Sequence, residues 1–210
     1  MPGLFIAFEG GEGAGKSTQE ALLGEYLTGL GETVVRTREP GGTPAAEVIR
    51  NVLLSHDYAG LNPRSEALLF AAARGDHVER VIRPALERGE IVICDRYIDS
   101  SVAYQGFARN LGVDRVRDLS LWATNDLLPD LTIVLAIDPE NGLSRVTNHD
   151  RLESEPIDYH REVASAYLEL ANAEPERYLV VDARGDIQEI AQVIRERVTA
   201  ELVKNISHEH

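Results

Sequence analysis

Leu4-Phe5-Ile6-Ala7-Phe8-Glu9-Gly10-Gly11-Glu12-Gly13-Ala14-Gly15-Lys16-Ser17-Thr18 is the stretch that decides the fold. The apolar run Leu4–Phe8 reads as a buried strand, and Gly10–Ser17 fits G-x-x-x-x-G-K-[ST] in full. A helical stretch, Lys16–Leu30, follows and stops at Gly31. Glycines at 10, 11, 13 and 15 let the backbone turn tightly and aim N–H groups at phosphate oxygens. The helix adds its positive N-terminal end. In such a loop Lys16 bridges the β- and γ-phosphates and the Ser17 hydroxyl ligates Mg²⁺. A glycine-rich turn that binds nothing is the alternative, and the flanking strand and helix count against it. Residues 10–18 are therefore expected to hold ATP.

Outward from this stretch, four more runs read as buried strands: Thr33–Thr37, Ile91–Cys94, Leu131–Ile137 and Tyr178–Val181. They are almost continuously apolar, as in a parallel sheet covered on both faces. Helical patterns lie between them at Thr43–Leu54, Arg64–Arg74, His77–Arg88, Val113–Thr124, Pro139–Val146, Ile157–Asn172 and Ile187–Leu202. Thr43-Pro44 is a good cap and first-turn pair. The alternation predicts one α/β domain over residues 1–210, a three-layer P-loop sandwich with a five-stranded parallel sheet. Polar residues 147–156 suit a mobile loop over a site, and 204–210 read as a frayed tail.

The third strand ends in Asp95-Arg96. An apolar strand of this kind puts a carboxylate at the sheet's C-terminal edge, beside the phosphate loop. Asp95 could hold Mg²⁺ directly or through water, and Arg96 could take a phosphate with its planar fork. A surface ion pair is the other reading of these two residues.

Lys plus Arg is 21 and Asp plus Glu is 35, a net charge of -14. This field repels nucleic-acid backbones but leaves room for a locally basic site for a small phosphorylated ligand. The chain has one cysteine, Cys94, and so no internal disulfide. No basic leader precedes the first strand, and no run nears the roughly 18 apolar residues of a membrane span. The expectation is a cytoplasmic protein with neither nucleic acid nor membrane as partner.

From about Phe5 to Asp182 the chain resembles the bacterial thymidylate kinases. Besides the P-loop, the resemblance rests on Thr37-Arg38-Glu39-Pro40-Gly41-Gly42-Thr43, on the string from Asp95-Arg96-Tyr97 through Ser100-Ser101 to Ala103-Tyr104-Gln105-Gly106, and on Asp150-Arg151-Leu152-Glu153. It implies a nucleoside monophosphate kinase-like fold, ATP with Mg²⁺ as donor, dTMP as acceptor and a homodimer, with Leu119–Trp122 a candidate face. It implies that Phe70 stacks on thymine, that Arg74 donates to a thymine carbonyl, and that Ser101 and Gln105 contact the base edge. By the same resemblance Tyr104 crowds the sugar C2′ position, Arg38 and Arg96 hold the acceptor phosphate, and adenine rests near Ala183-Arg184-Gly185.

By residue pattern alone, Phe70 reads equally as a core side chain, Arg74 as a solvated charge and Tyr104 as packing. Glu12 stands where the eukaryotic type carries an arginine, so the resemblance moves the catalytic arginine to a lid at 144–159, with Glu12 near the sugar 3′-OH or the metal shell. This lid is shorter and less basic than is usual for bacterial members. Of its two candidates, Arg145 and Arg151, the D-R-x-E string favours Arg151. Lys16, Arg96 and Arg151 are thus the expected catalytic set, with Ser17 and Asp95 as metal ligands. A kinase for another nucleoside monophosphate or a nucleoside, and a nucleotide-dependent binding switch, remain the competing readings.

Overall fold

The computed structural model describes residues 3–207. Five strands form one parallel sheet: β1 (Leu4–Glu9), β2 (Val34–Arg38), β3 (Ile91–Asp95), β4 (Leu131–Ala136) and β5 (Tyr178–Asp182). Their order is β2-β3-β1-β4-β5. The first strand therefore lies at the centre, with Phe8 beside Asp95 on one side and Glu9 beside Val134 on the other.

Alternation along β1 explains why its residues 4–8 are all apolar. Leu4, Ile6 and Phe8 point into one core with Leu23 and Leu27 of α1 (Lys16–Gly29) and Ile190, Ile194 and Val198 of α9 (Ile187–Ser207). Phe5 and Ala7 point into the other. There they meet Val78, Ile82 and Ala85, together with Val163, Tyr167 and Leu170 of α8 (Ile157–Ala173). Helices on both faces leave no polar side for the central strands.

The sheet and the three-layer sandwich agree with the sequence reading, but the edge strands β2 and β5 are partly exposed where buried strands were expected, and some helices differ. Residues 63–87 form one continuous helical rod instead of two helices: α3 (Pro63–His77), a wide π turn (Val78–Ile82) and α4 (Arg83–Glu87). Gly75 does not end a helix. A Cβ there would come within 2.9 Å of the Ala123 carbonyl on α6 (Val113–Thr124), so it permits close helix packing. The wide turn falls ahead of Pro84, which has no N–H for the usual bond to Arg80. A second such rod, α5 (Ile98–Ser101) continued by a wide turn at Val102–Ala108, carries Ser100, Ser101, Tyr104 and Gln105 after β3.

Caps fix the remaining starts. Thr43 accepts from Ala46 N–H at the head of α2 (Pro44–Leu54), as expected, and Asn62-Pro63 does the same work for α3. Asp138-Pro139 starts α7, which spans only Pro139–Leu143. α9 continues past Lys204 to Ser207, so the expected tail is helical as far as it is described; residues 208–210 lie outside the described residues.

Candidate active site

At the carboxyl edge of β1 the chain bends through residues 10–15 into α1. Gly13 and Gly15 have φ of 64° and 91°, and Gly15 caps α1 with no side-chain bond, so the first N–H groups of the helix face the loop's interior. Lys16 is buried there and donates to the carbonyls of Gly10 and Gly11 at 3.2 and 3.1 Å. Burial, then Arg96, pushes its ammonium below the usual range, against the pull of Asp95, Glu12 and Glu9. A cavity of about 420 Å³ runs from this loop to the α3 rod. That is room for small-molecule ligands.

The structure brings most of the expected residues to this cavity. Residues 12–18, Arg38, Phe70, Asp95, Arg96, Ser101, Tyr104 and Gln105 line it. Gly10 and Gly11 sit behind it as acceptors for Lys16. Phe70 is half-buried in the wall, outside both apolar cores. Gln105 donates to Glu66 at 3.0 Å, and its amide oxygen has no partner. That unpaired acceptor suits the N–H of a base edge.

Arg96 is the hub. Its backbone sits at φ 65°, a region costly for a non-glycine residue and seen mainly where the surroundings enforce it. The side chain donates to Glu12 Oε1 at 2.6 Å, to Gly10 O at 3.1 Å and to Tyr167 OH at 3.2 Å. Tyr104 OH donates to the same Glu12 oxygen at 2.8 Å, and the guanidinium lies 5.1 Å from the Tyr104 ring centre. Burial alone would raise the Glu12 carboxyl, but Arg96, Lys16 and Tyr104 together bring it down to about 2. Glu12 is therefore a fixed anion at neutral pH.

Arg74, Arg151 and residues 183–185 sit differently from the expectation. Arg74 is neither solvated nor in the cavity wall. It is 1% exposed and donates to Glu39 at 2.7 Å, Ser120 at 3.1 Å, Tyr97 O at 3.0 Å and Ser101 at 3.1 Å. It reaches the cavity through Glu39 and Ser101, which do line it. Arg151 is also buried: it pairs with Glu66 at 2.7 Å and donates to Leu53 O at 2.7 Å, away from the phosphate loop. Around it Asp150 accepts from the backbone of Leu152 and Glu153 while Glu153 accepts from Asp150 N–H, so the D-R-x-E string ties down its own turn at 150–153. Arg145 is the lid arginine that reaches the loop, donating to Gly13 O at 3.2 Å. Residues 183–185 do not line the cavity, and Arg184 is paired with Asp182 at 2.6 Å.

Sequence reasoning missed two residues. Arg50 lines the cavity beside Arg38 and donates to Pro40 O at 2.8 Å; its signal was an arginine on α2 one turn past the glutamate that pairs with Arg38. Glu9, fully buried, accepts from the N–H groups of Tyr97 and Ser100 at 2.8 and 3.1 Å, from Ser100 Oγ at 2.6 Å and from Tyr167 OH at 3.0 Å. Burial and the Asp99 charge raise its pKa to about 7. It anchors the two hydroxyls that Arg96 touches.

The metal expectation is compatible with one orphaned atom. Asp95 Oδ1 is buried and has no hydrogen-bond partner among the described residues, and it shares the cavity wall with Ser17. Mg²⁺ is commonly held by one or two carboxylates with substrate phosphates and waters, and this donor set fits it. No group of three or more His, Cys, Asp or Glu among the described residues is placed to hold a metal without such phosphates.

A parallel sheet with β1 central and a phosphate loop running into α1 defines a P-loop fold of the nucleoside monophosphate kinase kind. The sequence pattern of the family described as thymidylate kinase matches residues 8–194. The chain belongs to the thymidylate kinase family. It is 57% identical over 201 residues to the thymidylate kinase of Leifsonia xyli subsp. xyli, covering 94% of this chain and 95% of that protein. With the enzyme of that name from Clavibacter sepedonicus it is 54% identical over 201 residues, 94% and 95% of the two chains. The crystal structure of thymidylate kinase from Ehrlichia chaffeensis superposes with a TM-score of 0.80 at 32% identity, over 94% of this chain and all of that one.

Proposed function

We propose that this chain transfers the γ-phosphoryl group of ATP to dTMP, giving dTDP and ADP. The observation that carries the reading is a single cavity with the phosphate loop and Lys16 at one end, Arg38, Arg50 and Arg96 along it, and Phe70, Ser101 and Gln105 at the other. ATP phosphates rest on the loop's N–H groups, and the acceptor phosphate meets the arginines. An acceptor phosphate oxygen attacks the γ-phosphorus in line as the bond to the β–γ bridging oxygen breaks. The attacking oxygen is already anionic, so no general base is required, and catalysis consists of positioning and charge neutralisation.

Lys16 and Arg96 neutralise the transferring group from inside the cavity. From the lid Arg145, held on Gly13 O, is better placed than Arg151 to do so. Phe70 offers a flat face for the base, and Tyr104, fixed by Glu12, walls the sugar. Ser17 and Asp95 would hold Mg²⁺, whose charge offsets that of the β- and γ-phosphates.

Homodimerisation belongs to the same reading. Trp122 on α6 is 83% exposed and Leu68 on the neighbouring α3 is 57% exposed, an apolar surface that suits a second copy. No helix among the described residues is long and apolar enough to cross a membrane, and the reading places the reaction in the cytoplasm.

An assay of ADP release with a panel of acceptors tests the function. dTMP is expected to give the highest kcat/KM; faster turnover of UMP or AMP would replace it with another acceptor. ADP release indifferent to every acceptor would favour a nucleotide-dependent switch.

A further inference from the structure

Glu20 lies on α1 one turn beyond Ser17, and the mechanism above leaves it without a task. It is 5% exposed. Its Oε1 has no hydrogen-bond partner among the described residues, and its ion-pair partner Arg36 stands 3.9 Å from Oε2. A carboxylate buried with so little compensation is costly unless a cation completes its surroundings.

A second cavity, of about 460 Å³, lies on the β2 side of the phosphate loop, with Ser17, Glu20, Arg38 and Asp95 in its wall. Ser17, Arg38 and Asp95 also line the active-site cavity, so the two meet there. Asp95 Oδ1, at this junction, is the other buried carboxylate oxygen without a hydrogen-bond partner among the described residues. Glu20 and Asp95 both line this second cavity. Two unsatisfied carboxylate oxygens and a hydroxyl in the wall of this second cavity, which Arg36 and Arg38 also line, are a donor set for a hard divalent cation.

We propose that Glu20 is a further carboxylate of the divalent-cation site, completing with Ser17 Oγ and Asp95 an oxygen set for Mg²⁺ at the head of α1. This rests on the reading that Ser17 and Asp95 hold the cation. Glu20 either enters the coordination sphere or accepts from a water bound in it.

Mn²⁺ uptake by the full chain with ADP, followed by electron paramagnetic resonance, tests the assignment without relying on turnover. Glu20→Gln is expected to weaken Mn²⁺ about ten- to a hundredfold, as loss of an outer-shell partner does. ADP affinity in EDTA is expected to stay unchanged, and the metal-free variant to melt no lower than the unaltered chain. Glu20→Asp, which keeps a carboxylate, is expected to hold Mn²⁺ more tightly than Glu20→Gln. Wild-type Mn²⁺ affinity in Glu20→Gln, or equal losses in both variants, overturns the role of Glu20. Failure of the unaltered chain to take up Mn²⁺ with ADP removes the Ser17–Asp95 reading itself, and this assignment with it.

Discussion

Arg96 grips the Glu12 carboxylate at 2.6 Å while its own backbone is held in the left-handed region at φ 65°. The pair ties the end of β3 to the glycine-rich loop, so the arginine proposed to neutralise charge is pre-set by the loop proposed to bind the triphosphate. Strained backbone of this kind, worth about 1–3 kcal/mol, persists where the surroundings over-determine it. Here Gly10 O, Ser100 and Tyr167 do so.

Arg96→Ala and Lys16→Ala are each expected to lower kcat/KM with dTMP by about 10²–10³, the range for removing one preorganised charge-stabilising donor. Circular dichroism should show both variants folded. Near-normal turnover in either variant would displace the chemistry from this cavity.

The lid arginines should separate cleanly. Arg151→Ala leaves Glu66, fully buried, with only Arg109 at 3.3 Å and Gln105 at 3.0 Å, and is expected to destabilise the chain by about 3 kcal/mol in urea unfolding. Arg145 is exposed and its side chain donates to the loop carbonyl of Gly13, so Arg145→Ala should lower kcat while leaving the unfolding midpoint near its original value. The reverse pattern would return the catalytic role to Arg151.

Glu9 makes stability fall with pH. Its folded pKa of about 7 lies above the ordinary 4.5, so its contribution is whole below pH 4.5 and is lost as pH rises through 7. Melting temperatures measured between pH 5 and 8 should decline, and Glu9→Gln should flatten the decline. An unchanged slope in that variant would assign the titration elsewhere.

Gly142 at the end of α7 meets the loop backbone directly: a Cβ there would stand 2.2 Å from Glu12 O, and one on Gly13 would stand 2.1 Å from Gly142 O. Gly142→Ala must push the lid's root off the phosphate loop. The expected result is at least about a tenfold loss in kcat/KM, since small misplacements of reacting groups carry large penalties. Unchanged kinetics would show that the lid root moves freely of the loop.

The strands and the phosphate loop were legible because buried parallel strands and glycine turns leave local signals. Leu4–Phe8 and Gly10–Ser17 needed nothing beyond their neighbours. The rod at 63–87 was not legible: Gly75 looks like a stop in sequence, and only the Ala123 carbonyl across the helix contact explains it. Arg74 and Arg151 read as ligand contacts, and their pairing with the buried acids Glu39 and Glu66, 35 and 85 residues away in sequence, left no local signal. Glu9 was hidden for the same reason, its partners being 88 to 158 residues distant.

³¹P nuclear magnetic resonance of the chain with ATP, Mg²⁺ and dTMP follows both substrates at once and most directly tests phosphoryl transfer within one cavity. The dTMP resonance should give way to the two resonances of dTDP as ADP grows in equal amount. ADP appearing with inorganic phosphate while dTMP remains intact would contradict it.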